Sequence, residues 1–136
     1  MTTLVDTNAL FALGNVADKD HERVRAYVEN TDDVLLVPVT VLPEIDYLVT
    51  KYLGVHVAIA LLRDITAGAF RLERVTDADV ARAIDLIEQY AGSAIGVVDA
   101  SIVAVAERLN VTRILTGDHH FRMIRPRHAA YFDLVP

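Results

Sequence analysis

Short runs of apolar residues recur along the chain and predict buried β-strands. Leu4–Asp6 is a short apolar run that ends in an acid, Val34–Pro38 is apolar throughout, and Ile114–Thr116 forms a third run. Continuous apolar runs of this length are typical of strands that are covered on both faces, as in a parallel sheet. Two weaker strands are predicted, an edge strand at Leu72–Val75 and a last strand at Tyr131–Val135.

Stretches with helical spacing of apolar residues separate these strands. The predicted helices are Ala9–Leu13, Asp18 or Asp20 to about Glu29, Thr40 to about Tyr52, Val55–Ala67, Thr76 through Glu88, and Asp99 to about Asn110. Strands that alternate with helices indicate an α/β fold, and 136 residues is the size of one domain. The prediction is a single α/β domain over residues 1–136, with a central, mainly parallel sheet flanked by helices.

The segment Val55–Ala67 is apolar on nearly every side of the predicted helix. A helix of this kind needs cover on more than one face. Two explanations stay open, a dimer surface and deep packing in the core.

Composition narrows the class of protein. The hydrophobic fraction of 53% is high, yet no apolar run reaches the roughly 20 residues of a membrane-spanning helix. The first residues carry no basic segment before a long apolar one, so they predict a strand and not a secretory signal. The absence of cysteine excludes disulfides and thiolate metal sites. We expect a soluble, cytoplasmic protein without membrane contact.

The net charge of −6 argues against a nucleic-acid partner, since phosphate binding relies on Lys and Arg. Basic residues nevertheless collect near the end of the chain, namely Arg113, His119, His120, Arg122, Arg125, Arg127 and His128. A solvated basic face is the simpler interpretation and an RNA-facing surface is the alternative. Arg122, Arg125 and Arg127 are the candidates for phosphate contacts.

Four acids follow predicted strands or lie where the next helix begins. Asp6 ends the first strand, Glu44 lies in the first turns of the helix after the second, Asp99 starts a helix, and Asp118 follows Ile114–Thr116. In open α/β sheets the functional crevice forms outside the carboxyl ends of the strands. Each acid alone has an ordinary explanation as a cap or turn residue. Four carboxylates in one crevice would repel one another unless a cation lies among them.

Oxygen ligands suit the hard cations Mg²⁺ and Mn²⁺, which activate water and polarise phosphate oxygens. The acids therefore predict a nuclease-like site. Asn8 is a candidate to bind a ligand water or phosphate, and Thr116 to orient an acid with its hydroxyl. His119 and His120 lack a third ligand at zinc spacing, which favours a surface or RNA-facing role. Asp77, Asp79 and Asp85 are expected on a solvated helix face.

Four segments in order resemble the motifs of PIN-domain ribonucleases of the VapC type. They are Val5–Leu10, Pro43–Ile45, Val98–Ala104 and Leu115–Phe121. The resemblance covers essentially the whole chain, and the ordered set is far more specific than any single motif. The segment from Ile124 to Pro136 also resembles that of a VapC branch that cuts a ribosomal RNA loop.

This resemblance implies a Mg²⁺- or Mn²⁺-dependent endoribonuclease with Asp6, Glu44, Asp99 and Asp118 as the acidic, metal-binding site. Asn8 and Thr116 would be supporting groups. It also implies the toxin of a toxin–antitoxin pair, usually a homodimer, which a VapB-type antitoxin inhibits. The substrate would be transfer or ribosomal RNA, and DNA would be contacted only through the antitoxin.

Three other classes of protein share some of these features. A receiver domain needs an acidic pair near the end of its first strand and a later strand-end lysine, and the only lysines here are Lys19 and Lys51. A phosphatase with an aspartate nucleophile needs an acid where Asn8 stands. A PIN-like module that binds RNA or a partner without cleaving is the remaining alternative, and the complete set of acids argues against it.

Overall fold

The computed structural model describes residues 1–136 and is built on a five-stranded sheet in which all neighbouring strands are parallel. The strands are β1 (Thr2–Val5), β2 (Val34–Pro38), β3 (Arg71–Glu73), β4 (Arg113–Leu115) and β5 (Asp133–Val135). Their order across the sheet is β3-β2-β1-β4-β5. The predicted parallel α/β fold is confirmed, with β3 as an edge strand and β5 shorter than expected.

Helices cover the sheet and connect its strands. They are α1 (Thr7–Gly14), α2 (His21–Asn30), α3 (Val41–Leu53), α4 (Val55–Thr66), α5 (Asp77–Gln89) and α6 (Val97–Leu109), with 3-10 turns at Ala91–Ser93 and His119–Arg122. Each predicted helix is present, with ends displaced by a few residues. None of them combines the length and the apolar character needed to cross a bilayer.

The core lies along the central strands and α6. Leu4 and Val5 of β1 and Ile114 and Leu115 of β4 have no exposed surface. All residues of α6 from 100 to 106 are buried, because this helix packs against both α5 and the sheet. Coverage on both faces explains why the central strands are apolar without alternation.

The strand order places a crevice at the carboxyl ends of β1 and β4. The chain runs from β1 outward to β2 and β3, and then returns to the other side of β1 for β4 and β5. Such a reversal leaves a gap between helices above the two central strands, where open α/β sheets bind ligands. Asp6 follows β1 directly, and its amide donates a hydrogen bond to Leu115 at the end of β4.

The predicted start of α6 was wrong in detail. Helix α6 begins at Val97 with Gly96 at the N-cap position, so Asp99 lies inside the first turn and does not start the helix. Thr40 lies at the N-cap position of α3, where the helix was predicted to start, but its side chain makes no capping hydrogen bond. Its hydroxyl instead lies 2.6 Å from that of Ser101 in α6, so it links the two helices.

The apolar helix α4 is neither wholly buried nor wholly exposed. Ala58, Leu61 and Ile65 are buried, and α4 packs chiefly on α3. Val55 and Ile59 are exposed on its other side. Core packing therefore explains one face of this helix, and the dimer surface stays a prediction for the other.

Asp79 was expected in solvent and is buried. Its carboxylate accepts the Thr76 amide in a capping box, and its two oxygens share a bifurcated hydrogen bond from Arg108 Nε, at 3.0 and 3.1 Å. The sequence pattern of α5 did not show this, because Arg108 is supplied by α6.

Candidate metal and catalytic site

Three carboxylates from three separate segments converge at the crevice. Asp6 joins β1 to α1, Asp99 lies in the first turn of α6, and Asp118 follows β4. One side-chain oxygen of each lies within 4.8 Å of the others. The structure thus brings together three of the four acids that the sequence singled out.

Asp6 is held rigidly at the base of the cluster. It is only 3% exposed, and it caps α1 because its Oδ1 accepts the Thr7 amide at 2.7 Å. Its Oδ2 accepts the Thr116 hydroxyl at 2.8 Å. The Thr116 hydroxyl also accepts the amide of Asp118 at 2.9 Å. Thr116 therefore orients one acid directly and the backbone of a second, in the supporting position proposed for it.

Asn8 fixes the loop that carries Asp118. Its Oδ1 accepts the Gly117 amide at 2.9 Å and lies 3.3 Å from the Thr116 hydroxyl. The carbonyl oxygen is thus engaged within the protein. A contact from Asn8 to a ligand water or phosphate is left to its amide nitrogen.

The cluster carries more negative charge than the protein around it neutralises. Burial, reinforced by Asp99 and Asp118, raises the pKa of Asp6 to about 7, although the Thr116 hydrogen bond opposes this. Burial, then Asp118 and Glu44, raise the pKa of Asp99 to about 6. Both shifts mean that the ionised carboxylates are destabilised, and an added cation would relieve this.

Glu44 belongs to the rim of the site and not to its centre. It is exposed in the first turn of α3, and its charge contributes to the raised pKa of Asp99. It lies outside the set of mutually close oxygens formed by the three aspartates. Metal ligation by Glu44, which the resemblance implied, stays a prediction.

His120 is a site residue whose position the sequence did not reveal. Its Nδ1 lies 2.7 Å from Asp118 Oδ1, and its charge is the one influence that lowers the pKa of Asp99. The spacing of two residues from Asp118 was the available signal, since the 3-10 turn at His119–Arg122 returns the ring to the acid.

The basic residues near the end of the chain do not form one surface, because they lie in different parts of the structure. Arg113 is engaged with Asp33 and Asp133 at the amino ends of the strands, so it is not a free cation. The amide of Arg127 binds Glu107, near the end of α6 opposite Asp99. Of the three predicted phosphate contacts, Arg122 alone lines the cavity beside the acids. Phosphate binding by Arg125 and Arg127 stays a prediction.

Residues 3–125 match the family model described as PIN domain. The chain belongs to the PIN-domain family. This PIN domain is 34% identical to "Ribonuclease VapC26" of Mycobacterium tuberculosis over 98% of its own length and 99% of that protein. The VapC-type resemblance of its four motifs is thereby confirmed.

Solved structures confirm the fold of this PIN domain. The crystal structure of Mycobacterium tuberculosis VapC20, described as a Sarcin-Ricin loop cleaving toxin, matches with a TM-score of 0.85 at 22% identity, over 95% of this chain and 99% of that one. VapBC2 from Rickettsia felis, bound to a DNA fragment from its promoter, matches with a TM-score of 0.70 at 20% identity over the full length of both chains.

Proposed function

We propose that this PIN domain is a metal-dependent endoribonuclease and the toxin of a VapBC-type toxin–antitoxin pair. The observation that carries the proposal is the convergence of Asp6, Asp99 and Asp118 within 4.8 Å. The relative at 34% identity is named a ribonuclease, which supports RNA as the substrate class.

The donor set fits Mg²⁺ or Mn²⁺. All three groups are carboxylates, which hard divalent cations prefer. Burial, and after it the neighbouring carboxylates, raise the pKa values of Asp6 and Asp99, and a bound cation would favour their ionised forms. Asp6, Asp99 and Asp118 would hold the ion. When bound, such an ion supplies Lewis acidity toward the phosphodiester and the attacking water.

The remaining residues of the site would position these ligands. Thr116 orients Asp6 and the backbone of Asp118, and Asn8 holds the intervening loop. Glu44, at the rim, would add negative charge beside Asp99 and strengthen cation binding. Arg122 would contact a phosphate of the RNA beside the acids.

The partners of the domain are proposed from its relatives. Solved structures with this fold include VapBC and other toxin–antitoxin complexes, two of them described as bound to DNA. We expect a VapB-type antitoxin to inhibit this chain and to carry the DNA contact. The exposed Val55 and Ile59 of α4 are our candidate for a homodimer surface. Transfer or ribosomal RNA in the cytoplasm is the expected substrate.

Cleavage of total cellular RNA by the purified protein tests the proposal. The reaction is run with Mn²⁺, with EDTA, and with the variant Asp99→Asn, and the ends of the products are mapped. We expect discrete cuts that require the metal. The cleavage rate should fall by more than about a hundredfold in Asp99→Asn, which is more than the loss of a residue that only hydrogen-bonds to a metal ligand usually causes.

Asp32→Asn is the matched control, because Asp32 is exposed before β2, at the amino ends of the strands. It should cleave like the unmodified protein. If that protein, free of antitoxin and with its metal bound, is as inert as Asp99→Asn, the non-cleaving RNA- or partner-binding module is the correct interpretation.

A further inference from the structure

A cavity of about 590 Å³ adjoins the acidic cluster on the side of α1, α2 and β5. Asn8 and Thr116, which hold the acids in place, also line this cavity, so the two sites share a wall. Its volume lies in the range of roughly 300–1,000 Å³ found for small-molecule sites. Of its lining, the proposed function uses only Asn8, Thr116 and Arg122.

The cavity carries free positive charge in an otherwise acidic protein. Lys19, Arg23 and Arg122 line it, together with Asp18 and Asp20. Asp20 already pairs with Arg23 at 3.4 Å, and Asp18 Oδ1 accepts the Asp20 amide at 2.8 Å. Lys19 and Arg122 have no carboxylate partner within salt-bridge distance. Lys19 and Arg122 therefore remain available for an anionic group, against one carboxylate, Asp18, that no cation pairs.

Part of the cavity lining is apolar. Phe11 of α1 and Leu134 of β5 are partly exposed there, whereas Ala9, Ala12 and Val24 are buried and add little surface. Base recognition in single-stranded RNA uses this combination, because an unstacked base needs an apolar or aromatic surface and its phosphate needs a cation.

We propose that this cavity binds one nucleotide of the RNA, next to the bond that is cleaved, with its base against Phe11 and Leu134 and its phosphate at Arg122 and Lys19. The inference rests on the proposed function, since the occupant is part of the substrate. It assigns a specificity role to a surface that lies outside the acidic cluster.

The salt dependence of RNA binding tests the phosphate contact. A short, fluorescently labelled single-stranded RNA is titrated in EDTA, where cleavage is prevented, at several salt concentrations. Arg122→Ala should weaken binding by roughly fivefold to tenfold and reduce the slope of log K against log salt by about 0.7, the value for one lost single-strand contact.

Arg71→Ala is the matched control. It removes the same charge from an exposed position on β3, the edge strand on the far side of the sheet from β5. Its affinity and salt slope should equal those of the unmodified protein. An equal effect of Arg122→Ala and Arg71→Ala would overturn the phosphate contact.

Titration with AMP and UMP, followed by amide NMR signals, tests the base contact. Signals of Ala9, Gly117 and His119 should shift while those of β3 stay in place. Phe11→Leu keeps an apolar side chain and should weaken binding by roughly fivefold or more, since it removes a stacking surface. Shifts confined to other regions, or shifts of these signals by an antitoxin peptide but not by nucleotides, would overturn the proposal.

These results separate the cavity from the nuclease activity. RNA cleavage that persists with normal binding in Arg122→Ala removes the nucleotide site and the phosphate contact of Arg122, and it leaves metal-dependent cleavage at the acids intact. Nucleotide binding in the cavity by a protein that cleaves nothing supports the site and refutes the nuclease.

Discussion

Asp6 and Asp33 are two acids that each accept a hydrogen bond from a threonine hydroxyl. They lie at opposite ends of neighbouring strands, Asp6 after β1 and Asp33 before β2. Asp33, before β2, accepts the Thr3 hydroxyl at 2.7 Å and the Arg113 guanidinium at 3.0 Å. The Thr3 hydrogen bond and then Arg113 lower the pKa of Asp33, against the opposing effect of burial. Asp6 has the equivalent threonine but no arginine, and burial raises its pKa to about 7.

The two ends of α6 repeat this contrast. Near its last turn, Glu107 accepts two hydrogen bonds from Arg82, at 2.8 and 3.1 Å. In its first turn, Asp99 accepts no hydrogen bond from the protein, and burial raises its pKa to about 6. The fold thus supplies arginine where an acid has a structural role and withholds it at the crevice. An acid left without a cation in a buried site marks a place for an external one.

The largest expected effect is a pH dependence of the metal-free protein. Asp6 and Asp99 keep protons in the folded state up to pKa values of about 7 and about 6, whereas the unfolded chain releases them near 3.8. The free energy of unfolding should therefore fall, by on the order of 3 kcal/mol, as the pH rises from about 4 to about 7. Urea denaturation in EDTA measures it.

Asp33 provides the internal control, because its pKa is lowered. Its contribution to the free energy of unfolding is lost only as the pH falls below the ordinary value of 3.8. Mn²⁺ should cancel most of the loss caused by the two crevice acids, and it should stabilise the protein more at about pH 8 than at about pH 5. A free energy of unfolding that is constant between these pH values would contradict the raised pKa values of Asp6 and Asp99.

Loss of the Asp33–Arg113 ion pair should lower the stability of the protein and leave RNA cleavage unchanged. Asp33→Asn removes the charge that holds Arg113 and Thr3, and we expect the free energy of unfolding to fall by about 2 kcal/mol, as for hydrogen bonds to charged groups. The neighbouring Asp32→Asn should change it by less than about 0.5 kcal/mol. RNA cleavage by the folded fraction should equal that of the unmodified protein. A loss of cleavage would show that Asp33, at the amino ends of the strands, affects the acids at the carboxyl ends.

The two threonines should differ in what they support. Thr116→Val removes the hydroxyl that orients Asp6, and we expect cleavage and Mn²⁺ affinity each to fall by about tenfold, as for other outer-shell partners. Thr116→Ser should restore both. Thr3→Val makes the same change beside Asp33 and should lower the unfolding temperature only. Equal cleavage by Thr116→Val and the unmodified protein would remove Thr116 from the site.

The smallest effect is also the most unusual in sign. Asp99→Asn removes one of the mutually repelling carboxylates, and in EDTA at neutral pH it should raise the free energy of unfolding by about 1 kcal/mol. The same variant should lose cleavage, so stability and activity would change in opposite directions. A lower free energy of unfolding would show that Asp99 has a structural role like that of Asp33.

Much of this picture follows from local sequence pattern. Apolar runs such as Val34–Pro38 predict buried strands because burial on both faces admits only apolar side chains. Asp6 directly follows β1 and Asp118 comes three residues after the end of β4, and parallel strands have their carboxyl ends on the same side of the sheet. The fold class and the convergence of acids were therefore predictable from the chain alone, as was the supporting position of Thr116.

The tertiary structure decided which charges are neutralised. Asp79 and Asp99 both lie in the first turn of a helix, yet Arg108 binds Asp79 and no arginine binds Asp99. Arg113 is likewise removed from the basic surface by Asp33, and Glu44 is kept at the rim. Ion pairs and pKa values depend on partners brought from distant parts of the chain, over distances of a few ångströms that spacing in the sequence does not encode.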